Sequence, residues 1–105
     1  MKYQDNVILI FTRTNKIILA AVEQACREIL GEEAYEPTCT SGADGTHSAE
    51  SGHYYGRALD FRNRDMPRDQ LDFIEQTIRA ILGKDYFLLR EKDHLHIQRN
   101  KNSFL

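Results

Sequence analysis

Few features of this sequence mark a special compartment, partner or architecture. Only two cysteines are present, Cys26 and Cys39. They are too few for a disulfide framework and lack the short mutual spacing of a zinc knuckle, so both read as small buried residues. No apolar run approaches the roughly 20 residues of a membrane span. The run near the start, Val7 to Phe11, also lacks the flanks of a secretory signal. The chain is accordingly expected to be cytoplasmic as synthesised and to have no membrane partner. Charge of neither sign dominates, and a formal net charge of -2 gives no electrostatic reason to expect nucleic acid. No repeat, low-complexity tract or linker interrupts the chain. Its 105 residues suffice for one core and not for two, so residues 1–105 read as a single domain, expected to be a monomer.

Histidine is scarce too, and its placement is informative. The four histidines fall in two pieces, His47 and His53 within Thr40 to Arg62, and His94 and His96 within Glu91 to His96. Structural histidines scattered by packing rarely sort themselves in this way, so a site is the first hypothesis.

The rest of the chain reads as a scaffold for those pieces. Val7 to Phe11 is β-prone and suggests a short strand, although so short a run has no decisive periodicity. Ile18, Val22, Ala25 and Ile29 recur at helical spacing within 14–30, and Gly31 stands where that helix should stop. Glu36 to Thr40 reads as a strand entering a polar loop over 41–52. Gly56 to Arg62 alternates, with Ala58 and Asp60 on one face and Leu59 and Phe61 on the other. Pro67 suits the first turn of a second helix, whose buried stripe would be Leu71, Ile74, Ile78 and Ile81 before Gly83. Tyr86 to Leu89 and His94 to Gln98 form a hairpin whose turn holds Glu91, Lys92 and Asp93. His94 and His96 then share one face, and Leu95 and Ile97 the other. The expected fold class is α+β: two helices packed on one face of a small, mainly antiparallel sheet, with the residues of interest on the opposite, open face.

Two imidazoles and a carboxylate, drawn from His53, Asp60 and the His94/His96 strand, would give zinc three protein ligands and leave a fourth position for water. Gly56 and Ala58 lack bulk, so the backbone between the first two ligands can turn tightly. An ionisable aspartate on an otherwise apolar strand is costly to bury without such a partner.

Ser51-Gly52-His53-Tyr54-Tyr55-Gly56-Arg57-Ala58-Leu59-Asp60 matches a Ser-x-His-x-x-Gly-x-Ala-x-Asp signature, and His94-Leu95-His96 a His-x-His signature. Together they resemble the D-Ala-D-Ala carboxypeptidase and L-Ala-D-Glu endopeptidase group of zinc peptidases, which includes phage endolysins and is similar in fold to the hedgehog signalling domain. The resemblance runs from about Thr40 to Ile97. It implies one zinc ion held by His53, Asp60 and His96, with His94 close by as a substrate or transition-state contact. It leaves the general base between Glu91 and Asp93, with Glu91 ranked slightly ahead because Asp93 can equally serve as a turn residue. It also makes His47 a candidate donor to a developing oxyanion, Ser51 a candidate for holding the substrate carboxylate or bracing His53, and Arg57 and Arg62 candidates for a substrate carboxylate. Where many such peptidases carry an arginine after Thr-Ser-Gly, this chain has Ala43-Asp44-Gly45. Asp44 resembles one calcium ligand of the hedgehog domain, but its acidic companions do not match, and calcium is not expected.

The function implied is hydrolysis of an amide bond in a peptidoglycan stem peptide, of the D-Ala-D-Ala carboxypeptidase or L-Ala-D-Glu endopeptidase type. Such an enzyme would reach the cell wall through a phage pore or as a virion component. The alternatives are a non-catalytic, zinc-stabilised protein-binding module of hedgehog-like fold and a phage structural domain.

Overall fold

The structure is a computed structural model. It describes residues 1–32, 35–44 and 52–100, apart from the side chain of Tyr54. Two helices pack against a five-stranded mixed sheet, an α+β fold. In chain order the elements are β1 (Lys2–Tyr3), α1 (Arg13–Leu30), β2 (Thr38–Ser41), a 3₁₀ turn (Gly52–Tyr55), β3 (Ala58–Arg62), α2 (Leu71–Leu82), β4 (Tyr86–Arg90) and β5 (His94–Arg99). The sheet order is β1-β2-β3-β5-β4, and only the β1–β2 pair is parallel. Among the described residues no helix is long and apolar enough to cross a membrane.

Each helix forms where capping and an apolar stripe coincide. The Thr12 hydroxyl oxygen accepts the Asn15 N–H at 3.0 Å and starts α1. Gly31 ends it with its N–H bonded to the Arg27 carbonyl. Ile18, Val22 and Ala25 are fully buried, as their spacing predicts, while Ile29 is only partly so. The second helix begins at Leu71, one turn beyond Pro67, because the Gln70 N–H first closes a turn onto the Pro67 carbonyl. Its buried stripe is Leu71, Ile74 and Ile78. Ile81, expected in that stripe, is exposed, and it is Leu82, four residues beyond Ile78, that packs against the core in the last turn of α2.

Period-two alternation sorts the sheet. Leu59 and Phe61 of β3 lie opposite Ile97 and Leu95 of β5, and all four are fully buried beneath the helices. Cys26 and Cys39 join the same core as free thiols. The other face carries Asp60 opposite His96 and Arg62 opposite His94. Between β2 and β3 the register shifts, Cys39 pairing with Phe61 and Ser41 with Asp60, so Thr40 is an extra residue beside the site face.

Val7 to Phe11 is not a strand. Ile8 exchanges bonds with the loop after β2 rather than with a strand: its N–H donates to Asp44 Oδ1 at 3.0 Å and its carbonyl accepts the Ala43 N–H at 2.7 Å. The Ile10 carbonyl takes the Asn15 side-chain amide at 3.0 Å. Hydrophobicity alone suggested a strand, but this segment's backbone is satisfied by irregular partners, and Ile8 and Phe11 stay exposed.

That segment, the cap of α1 and the loop before β3 meet at Gly56. Its φ is +67°, and the Thr12 hydroxyl donates to its carbonyl. A Cβ there would lie 2.5 Å from Thr12 Cγ2 and 3.0 Å from Ile10 Cγ2. Gly56→Ala is therefore expected to cost about 2 kcal/mol, backbone strain and overpacking acting together. The thermal midpoint should fall by roughly 10 °C, and an unchanged midpoint would refute the close approach.

Candidate metal centre

Three elements aim one side chain each at a common point. His53 comes from the 3₁₀ turn, Asp60 from the middle of β3, and His96 from β5 directly across the ladder from Asp60. His53 Nε2 lies 3.2 Å from Asp60 Oδ1 and 3.2 Å from His96 Nδ1, and His96 Nδ1 lies 2.9 Å from Asp60 Oδ1. His53 and Asp60 are buried, at 3% and 8% exposure.

This triangle has no satisfactory arrangement of protons. An ionised carboxylate only accepts, so bonding both imidazoles to Asp60 puts a proton on each facing nitrogen and turns the His53–His96 edge into two opposed N–H groups. Removing either proton leaves two lone pairs facing one another. A cation at the centre resolves all three edges at once. Tetrahedral zinc, with bonds of ~2.0–2.2 Å to nitrogen and oxygen, needs ligand–ligand edges of roughly 3.3–3.5 Å, a few tenths longer than those present. The group of His53, Asp60 and His96 can hold a metal ion.

Neighbouring bonds orient the ligands. His96 Nε2 lies 3.0 Å from Gln98 Oε1, which only accepts, so Nε2 carries the proton and Nδ1 is free to ligate. Burial pulls the His96 pKa down, but hydrogen bonds to Asp60 and Gln98 outweigh it and the net shift is upward. Burial would raise the Asp60 pKa, yet hydrogen bonds from His53 and His96 hold its carboxyl well below the usual range.

His94 sits beside this group on the same face. Its Nδ1 lies 2.8 Å from Asp93 Oδ1 and its Nε2 3.8 Å from Asp60 Oδ2. The hydrogen bond from His94 also keeps Asp93 ionised to lower pH than an ordinary aspartate. A cavity of about 200 Å³ opens here, lined by Gln4, Thr40, Asp60, Arg62, Arg64, Asp93 and His94. Asn63, fully buried, donates its side-chain amide to the Glu91 carbonyl at 3.2 Å and its N–H to the Asp93 carbonyl at 3.3 Å. The turn carrying Asp93 is thereby tied to the end of β3.

The expected site residues divide accordingly. His53, Asp60, His96, His94, Asp93 and Arg62 come together. Glu91 is exposed and absent from the cavity wall, although its charge helps to raise the His96 pKa. Arg57 also lies outside the cavity wall, its guanidinium 5.1 Å above the Tyr55 ring. His47 and Ser51 fall outside the described residues. Sequence reasoning passed over Gln98, Asn63, Arg64 and the extra residue Thr40. Only Gln98 had a signal, since it is two residues beyond His96 and shares its face. Asp44, whose Oδ1 accepts the N–H groups of Gly42 and Ile8, anchors backbone.

No known protein family matches this chain, and no curated protein matches it. The resemblance to zinc peptidases therefore stands on the motif residues themselves.

The raised His96 pKa gives the metal-free and loaded proteins opposite pH trends. Without metal, the stabilisation from protonated His96 is full below its ordinary 6.5 and lost as pH rises through the raised folded value. Metal binding needs the neutral imidazole and strengthens over the same window. A divalent ion at about 100 times its Kd is expected to add ~2.7 kcal/mol, roughly 10–20 °C in Tm, and the increment should grow as pH rises above 6.5. An equal increment in His96→Ala, measured by thermal melting, would remove His96 from the ligand set.

Proposed function

We propose that this chain is a zinc-dependent peptidase that hydrolyses an amide bond in peptidoglycan stem peptides. The observation that carries the reading is the convergence of His53 Nε2, Asp60 Oδ1 and His96 Nδ1 beside an open polar cavity. Three protein ligands of this type leave a coordination position for chemistry, whereas purely structural zinc sites are closed by four. The substrate class follows from the resemblance of the two signatures. When bound, zinc supplies Lewis-acid polarisation of a carbonyl and brings the pKa of a water toward neutrality.

The remaining work falls to the protein. His53, Asp60 and His96 hold the ion, and Gln98 keeps His96 in the ligating tautomer. Asp93 accepts the His94 Nδ1 proton, which leaves the His94 Nε2 lone pair turned toward Asp60 and the cavity. His94 Nε2 then takes a proton from the attacking water, and the negative Asp93 stabilises the imidazolium. Water oxygen bonds to the amide carbon, the C–N bond breaks, and His94 returns its proton to the leaving amine. Asp93, rather than Glu91, serves this step because it lies in the cavity wall and touches His94.

Zinc-loaded protein incubated with purified peptidoglycan is expected to release a new amine and carboxyl pair by mass spectrometry, and a chelated sample none. Asp93→Asn should lower kcat by about 10²–10⁴-fold while leaving metal binding intact, and Glu91→Gln should have a much smaller effect. Wall material of several chemotypes left uncut by protein carrying one zinc would reject the peptidase and favour a zinc-stabilised binding module.

A further inference from the structure

The open face of the sheet has two unlike halves, and the metal group lies between them. In the strand order β1-β2-β3-β5-β4, Asp60 stands on β3 and His96 on β5. Toward β1 and β2 lies the polar cavity, with Gln4 and Thr40 in its wall. Toward the outermost strand, β4, the face is apolar. Leu89 lies directly across the ladder from His96, and Phe87 across from Gln98. The Phe87 ring centroid is 5.8 Å from that of His96. Phe87 is 41% exposed and Leu89 50%. Between them Leu88, opposite Ile97, points the other way and joins the core. An edge strand ordinarily turns polar or charged side chains to its solvated face. Exposed apolar residues scattered singly over a surface, such as Phe11 and Phe73, are commonplace. Phe87 and Leu89 differ in adjoining each other on the site face and adjoining His96.

The proton transfers say which half of a substrate meets which half of the face. His94 Nε2 is turned toward Asp60 and the cavity, and it protonates the leaving amine, so the amine half lies on the cavity side. The acyl half then leaves in the opposite direction, over His96 and onto β4. Neighbouring strands are ~4.7–4.9 Å apart, and directly opposed Cβ atoms about 4.5–5.5 Å. A side chain on the residue that supplies the scissile carbonyl, bound above His96, is thus within van der Waals reach of Leu89 and Phe87. The polar neighbour on this side, Gln98, is already bonded to His96 and leaves the apolar surface to set the preference.

We infer that Phe87 and Leu89 form an apolar shelf for the side chain of the residue that contributes the scissile carbonyl, and that this shelf favours an unbranched aliphatic chain longer than a methyl group. The inference rests on the peptidase reading. Neither residue belongs to the two signature motifs, so the motifs give no indication of this preference. The alanine of either bond type under consideration covers only part of a surface made by a phenyl ring and an isobutyl group. Selectivity on this side is therefore graded by apolar area rather than set by a closed pocket.

The test uses the full zinc-loaded chain and two kinds of ligand ladder. In the first, synthetic stem peptides carry glycine, alanine, 2-aminobutyrate or norvaline as the residue supplying the scissile carbonyl, before γ-linked D-Glu or before a terminal D-Ala. For whichever series is cut, kcat/KM is expected to rise by up to about fourfold per methylene, the value for full burial. Serine, close in shape to 2-aminobutyrate, should do no better than alanine. In the second, acetohydroxamate, butanohydroxamate and hexanohydroxamate are titrated by calorimetry. The hydroxamate group chelates the zinc, and its alkyl chain probes the acyl side without turnover. Their Kd should fall by a similar factor per methylene. Phe87→Ala and Leu89→Ala combined should flatten both ladders, a change of slope that a general loss of activity does not produce. A flat or inverted peptide ladder with wild-type protein would overturn the shelf and leave the peptidase reading standing. If neither peptide series is cut, the peptidase reading fails and the hydroxamates decide the shelf alone. A Kd ladder that the double variant flattens supports it; a flat ladder, or one that the double variant leaves intact, overturns it.

Discussion

The register of β3 against β5 is the constraint on which the rest of this structure depends. Leu59 opposite Ile97 and Phe61 opposite Leu95 place four fully buried side chains under the helices. The same pairing leaves Asp60 facing His96 on the other side. A slip of one residue would exchange the faces, exposing the apolar set and driving a carboxylate and an imidazole into the core. Packing therefore fixes the site without any of its residues contributing to the core. The metal group inherits its precision from hydrophobic burial on the reverse of the sheet.

Around that pair, polar groups are arranged so that each restricts another. Gln98 sets which nitrogen of His96 is available, Asp93 does the same for His94, and Asn63 holds the Asp93 turn to the end of β3. His53 is the ligand held by a short 3₁₀ turn rather than by a strand, with Gly56 closing that turn against Thr12 and Ile10. Facing N–H groups or facing lone pairs are costly at such burial, and a cation held by His53, Asp60 and His96 would relieve that cost. The extra residue Thr40, Arg62 at the end of β3 and His94 at the start of β5 line the adjoining cavity, and Asp60 is the member of the group that opens into it.

Much of this architecture was legible in the chain. Helical spacing located both helices, the hairpin reading located β4, and alternation placed the residues of β3 and β5 on the correct faces. The failures have identifiable causes. Val7 to Phe11 has strand-like composition, but Asp44, Ala43 and Asn15 claim its backbone groups. Ile81 stands three residues after Ile78 where the buried stripe of α2 continues at four, through the partly buried Leu82. Glu91 and Asp93 share a turn in which alternation carries no information, so only the fold could place Asp93 on the cavity and Glu91 away from it. Arg57 and Arg62 likewise looked equivalent until the bend at Gly56 turned Arg57 toward Tyr55.

The choice of His53, Asp60 and His96 as a group came from the resemblance of the two motifs, whereas the sequence by itself determined the periodicities, and through them the elements and the apolar face of the sheet. These are local properties, because side-chain direction in a helix or strand repeats at a fixed interval whatever lies beyond it. Tertiary structure alone decided the distances among the three ligand atoms, the tautomers set by Gln98 and Asp93, and which side chains share the adjoining cavity. Those depend on residues far apart in the chain meeting at angles set by strand register and loop closure, and periodicity does not encode them.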